Sequence, residues 1–241
     1  MQIRNGCNLQ EPPRHPGGNV SSGSVEYAIK PWKHNHAVDG SAPHGYALVM
    51  PGTGYTCDRP LLYWSAQMLA QTGWHVDRLN VHNTNDDLSE VTPVIETAID
   101  EWHAAAQAQA TDAGLPQPRM LLIGKSLTTL AYGHARKLGI PMALFTPVLN
   151  PAPFDPSGQR IAVPSRKEDA GTEAEAAPCK PLICAGSADP YYDADRAHAL
   201  SEDVHEFPGA NHSIEVPGDW QRSLEYLSGT VAALARYAAA L

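Results

Sequence analysis

The sequence has no apolar run near the roughly 18 residues that a helix needs to cross a bilayer, which argues against a membrane protein. Basic residues are scarce beside acidic ones: 17 Lys and Arg against 26 Asp and Glu, a formal net charge of −9. A nucleic-acid partner is thereby disfavoured, because binding a polyanion relies on clustered Lys and Arg to displace counterions. Cysteine is thin as well. Cys7, Cys57, Cys179 and Cys184 show neither C-x-x-C nor zinc-ribbon spacing, so free thiols are expected, and a Cys179–Cys184 disulfide is disfavoured. The stretch MQIRNGCNLQEPPRHPGGNVSSGS lacks the apolar core of a secretory signal, and the expected compartment is the cytoplasm.

What is present reads as alternating strands and helices. Residues 1–24, rich in Pro, Gly, Asn and Ser, are expected to form a flexible N-terminal arm or an edge extension. From Val25 to Met50, short apolar runs between turn residues suggest antiparallel strands, with GYALVMP the clearest. Then come a helix over Leu61–Thr72, a strand WHVDRLNV, and a helix over Val94–Ala110 with one apolar stripe. Met120–Ile123, PMALFTPVL and PLICAGSADP read as buried strands. Ser126–Lys137 and Leu224–Leu241 read as helices. Such alternation means βαβ units and a mostly parallel sheet in one domain over 25–241. The stretch 150–178, with its prolines and charges, breaks the pattern and is expected to be an irregular, lid-like or mobile loop.

In an α/β sheet, functional groups sit on loops at the carboxyl ends of strands. Ser126, in RMLLIGKSLTTLAYGHA, lies at the apex of a strand–turn–helix, where a hydroxyl can be projected as a nucleophile; a helix N-cap is the plain alternative. Asp189, in GSADP, could hold an imidazole in the right tautomer, or simply make an Asx turn opening a helix at Tyr191. Asp193 is its competitor, better read as a helix-start residue. His212, in GANHS, would by itself be a surface histidine. Their order is what raises all three: Ser, then Asp, then His, each on a separate strand-end loop. Oxyanion donors are expected from the N–H of Leu127 and from Thr53 or Gly54 in PGTG. Tyr55, Cys57 and Tyr191 are candidate pocket residues.

These motifs (GKSLT, GSADP, GANHS and PGTG) resemble the α/β-hydrolase superfamily over about Gly45 to the C-terminus. GKSL with GANHSIEVPGD is more narrowly similar to small, compact bacterial α/β hydrolases. The resemblance implies an α/β-hydrolase fold, a central mostly parallel sheet flanked by helices without a large cap domain. It also implies a serine hydrolase with no cofactor and no metal. Ser126 would be nucleophile, His212 base and then acid, Asp189 the orienting carboxylate. Two departures stand out: Thr128 replaces the second elbow glycine, and Pro51-Gly52 replaces the His-Gly of many oxyanion loops. Thr128→Gly is therefore expected to leave activity intact or raise it.

The histidines of WKHNHAVDG imitate a metal motif, but no downstream cluster completes it, and alternation on an exposed strand explains them better. His103 and His134 are expected at helix surfaces. The leading function is cleavage of a small carboxylic ester, with a small-molecule acyl substrate as partner. Thioester, amide and lactone substrates fit the same triad. A non-catalytic binder or sensor, or a docking subunit using 150–178, would be a different class.

Overall fold

The four most apolar runs become the inner strands of one sheet, and every residue in them is buried. A computed structural model describes residues 20–22, 25–35, 42–115, 117–163 and 180–241. In chain order its strands are β1 (Val20–Ser22), β2 (Val25–Pro31), β3 (Gly45–Met50), β4 (Trp74–Asn83), β5 (Met120–Lys125), β6 (Met142–Phe145), β7 (Leu182–Gly186) and β8 (Val204–Phe207). The α-helices are α1 (Pro60–Gln71), α2 (Leu88–Asp112), α3 (Tyr132–Lys137), α4 (Ala194–Leu200) and α5 (Trp220–Ala240).

Among the described residues the strands form an eight-stranded sheet in the order β1-β2-β4-β3-β5-β6-β7-β8. The pairs β1–β2 and β2–β4 are antiparallel, and all others are parallel. Val20–Ser22, at the end of the expected arm, is thus an edge strand; residues 1–19 lie outside the described part. The antiparallel expectation for Val25–Met50 holds for β2 but not for β3, which runs parallel to both β4 and β5. Its six buried residues explain why: with both faces covered, the strand shows no polar alternation.

Successive side chains of each inner strand enter opposite layers. Tyr46, Leu48 and Met50 of β3 pack with Leu122 of β5 and with Val91, Ile95, Ile99 and Trp102 of α2. Ala47 and Val49 join Ile123, Phe145 and the buried faces of α1 and α5 on the other side. Three helices start on an aspartate whose side chain accepts a backbone N–H from the first turn: Asp87, Asp193 and Asp219. Asp193 is therefore a cap, and α4 begins at Ala194 rather than at Tyr191. The single helix expected over Ser126–Lys137 is in fact a 3-10 turn over Ser126–Ala131 followed by α3.

The chain leaves β3 toward β4 on one side and, after crossing over, toward β5 on the other. The strand order reverses there, so the carboxyl ends of β3 and β5 flank the crevice in which open α/β sheets bind ligands.

Candidate active site

β5 ends at Lys125, and the chain reverses at Ser126 with φ 53°, a left-handed backbone that serine rarely adopts. The tight 3-10 turn over Ser126–Ala131 closes the elbow. Gly52, two residues past β3, approaches this elbow closely: a Cβ there would lie 3.1 Å from Ser126 Cβ. Thr128 occupies the position where the elbow usually has glycine. Its Oγ1 accepts the Lys125 N–H at 3.0 Å and donates to the Pro51 carbonyl at 2.9 Å. The threonine therefore stitches the elbow to the loop after β3, which argues against the expectation that glycine would serve as well. A glycine would remove both hydrogen bonds.

The loop after β8 is held by the Asn211 side chain and by the loop after β7. Asn211 Oδ1 accepts from the N–H groups of Ser213 and Glu215, and the Ala188 N–H donates to the Ala210 carbonyl at 3.0 Å. Gly186 lets this loop lie on the end of β7, where any Cβ would overlap the Ala210 carbonyl. His212 then reaches both neighbours. Its Nε2 lies 2.7 Å from Ser126 Oγ, and its Nδ1 lies 2.7 Å from Asp189 Oδ2. An ionised aspartate can only accept, so Nδ1 carries the proton and Nε2 is the acceptor facing the serine.

Asp189 is 4 % exposed, and its other oxygen accepts the Tyr191 N–H at 2.9 Å. The Asx turn and the orienting role are not rivals, because each uses a different carboxylate oxygen. His212 is held below the ordinary histidine pKa of 6.5, chiefly because burial disfavours its cationic form. The hydrogen bond to Asp189 works in the opposite direction, and the charge of Lys125 adds to the lowering.

Beside the serine is a cavity of about 140 Å³ whose lining includes Thr53, Leu127, Val148, Ala152, Phe154 and Tyr191. The Tyr191 ring meets the His212 imidazole edge-on, with centroids 4.7 Å apart. Gly52 and Tyr55 bond each other's backbone groups and so set the turn that presents Thr53. Gly54 is exposed on that turn and is not among the cavity residues. Tyr55 and Cys57 also lie elsewhere. The Tyr55 hydroxyl accepts the Leu61 N–H, and the Cys57 thiol is buried against the Val49 and Leu79 carbonyls. Burial pushes that thiol up to about 12. Cys184 is buried and free, while Cys7 and Cys179 fall outside the described residues.

Of the stretch 150–178, residues 150–163 are described. Ala152 and Phe154 reach the cavity, and Asp155 anchors them by accepting the N–H of Leu88 at the start of α2. His34 packs on Trp32 and Tyr63, His134 pairs with Asp100, and His36 is outside the described part. Among the described residues no three His, Cys, Asp or Glu side chains gather as metal ligands. No described helix is long and apolar enough to cross a membrane.

One residue next to the serine, Lys125, went unread in the sequence. Lys125 is 1 % exposed, and its Nζ donates to Thr146 Oγ1 at 2.9 Å and to the His212 carbonyl at 3.0 Å. A lysine closing the otherwise apolar LLIGK strand was the available signal, overlooked as a spacer inside the elbow motif.

Taken together, the sheet order, the flanking helices and the serine elbow define an α/β-hydrolase fold without a large cap. Among solved structures, an α/β serine hydrolase homologue from Coxiella burnetii is similar at TM-score 0.54 and 14 % identity, over 92 % of this chain and 99 % of that one. Est1E from Butyrivibrio proteoclasticus, solved with bound ferulic acid, gives 0.56 and 11 % over 91 % and 97 %. A serine hydrolase without lid from Xanthomonas campestris gives 0.51 and 14 % over 94 % and 98 %. At these identities the likeness concerns the fold. No family model matches the sequence, and no curated protein does.

Proposed function

We propose that this protein is a serine hydrolase that cleaves small carboxylic esters through an acyl-enzyme. The observation that carries the reading is the unbroken chain from Asp189 through His212 to Ser126, ending on a serine at φ 53°. Ser126 Oγ attacks the ester carbonyl while His212 Nε2 takes its proton, and Asp189 stabilises the imidazolium that forms. The tetrahedral oxyanion is met by the N–H groups of Leu127 and Thr53, which border the same cavity. Collapse expels the alkoxide, which takes the proton from His212. Water then repeats the sequence on the acyl-enzyme, releasing the acid and regenerating the serine.

The cavity supports a short acyl group. At about 140 Å³ it is smaller than the roughly 300–1,000 Å³ of drug-sized sites, and close to the roughly 150 Å³ known to hold one benzene ring. Leu127, Val148, Ala152 and Phe154 make that space apolar. A fluorophosphonate should label wild-type protein and not Ser126→Ala, and p-nitrophenyl esters should be turned over fastest with acyl chains of about six carbons or fewer. Absence of labelling would sink the hydrolase reading and favour a binding protein. A preference for long acyl chains would sink the short-acyl part alone.

A further inference from the structure

Lys125 is the one charged side chain buried in the elbow, and the mechanism above does not use it. Its ammonium has three neighbours from three different loops. Thr146 Oγ1, just past β6, and the His212 carbonyl accept its hydrogen bonds, and the Tyr55 ring from the loop after β3 lies 4.7 Å away. Two of these loops include improbable backbone. Thr146 has φ 45° although it is β-branched, and Ile214, two residues beyond His212, has φ 58°. Left-handed backbone at such residues is costly and persists only where neighbours over-determine it. Of the charged groups, Asp189 from the loop after β7 favours the ammonium, and His212 is disfavoured as a cation by its charge.

We propose that Lys125 is a positioning residue: its buried ammonium clamps the strained turn at Thr146 and the His212 backbone to the nucleophile elbow, so that one cation keeps serine and histidine in register. A buried ammonium is costly to maintain without such work, and a methionine would fill the same space at no electrostatic cost. Burial pulls its pKa down to about 8, opposed by Asp189, so near neutrality the group is charged and above pH 8 it loses its proton. The inference rests on the serine-hydrolase reading.

The test compares wild type, Lys125→Met and Thr146→Val with p-nitrophenyl acetate across pH. Lys125→Met should lose about 10²-fold in kcat with little change in KM, as a small misplacement of reacting groups does. Its acid limb should move to higher pH, because a cation that depresses His212 has gone. Wild type should decline through about pH 8, and Lys125→Met should lack that basic limb. Thr146→Val, which keeps the charge but removes an anchor, should lose about 10-fold in kcat with the acid limb unmoved. Should Lys125→Met not fold, Thr146→Val and the wild-type basic limb still decide. Unchanged kcat in Thr146→Val, or an acid limb that does not move in folded Lys125→Met, overturns the proposal. NMR titration of His212 in wild type and Lys125→Met reads the same shift without turnover. That separates a failure of the clamp from a failure of the hydrolase reading, which fluorophosphonate labelling of wild type decides.

Discussion

Among the described residues two buried aspartates face a histidine, and only one of the pairs extends to a serine. Asp77, 2 % exposed, lies on β4 two residues from His75, whose Nε2 is 3.5 Å from Oδ1; its other oxygen accepts the Trp102 indole N–H at 3.1 Å. Asp189 is buried to the same degree, but its histidine comes from a different loop at 2.7 Å and turns its free nitrogen to a serine. Asp77 and His75 share one face of β4, and the second Asp77 oxygen is taken by Trp102, so the pair joins β4 to α2. Strand-end loops can converge, because the parallel sheet brings β5, β7 and β8 to one edge. A carboxylate and an imidazole are common company; their placement decides what they do.

The widest break between the pairs should come from removing charge at each. Asp189→Asn should lower kcat by about 10⁴-fold, the scale expected when the imidazole loses its tautomer and counter-charge. Asp77→Asn should leave kcat unchanged and cost about 1–3 kcal/mol of stability, read by denaturant unfolding. A kcat loss in Asp77→Asn would undo the contrast.

A smaller effect is expected at the elbow. Thr128→Gly should lower kcat/KM by about 10-fold, through loosening of the link between Ser126 and the loop after β3. Thr128→Ser, which keeps the hydroxyl, should stay near wild type. Equal losses in both variants would mean that the methyl group, not the hydrogen bonds, matters there.

The subtlest effect concerns pH. The base must be neutral to act, and burial lowers the His212 pKa below 6.5, so activity should persist below that value and fall only as pH drops through the lowered pKa. In residual-activity measurements on Asp189→Asn the limb should lie lower still, since the raising hydrogen bond is gone. An acid limb above 6.5 in wild type would contradict the burial argument.

Much of this was legible in one dimension. Apolar runs marked β5, β6 and β7, helical spacing marked α2, and the order Ser126, Asp189, His212 marked the candidate site before any geometry. Those signals are local patterns of burial and turn chemistry, which a chain carries in its own residues. Three things were not legible. The direction of β3 depends on its neighbours, since six buried residues read alike in either sense. The role of Thr128 depends on the Pro51 carbonyl, which lies 77 positions away. Lys125 is the clearest case: its two acceptors lie 21 and 87 positions along the chain. Sequence determined which groups exist and roughly which loops carry them. Only the tertiary structure determined that a lysine beside the serine is buried, because burial of a charge is decided by the loops that close over it.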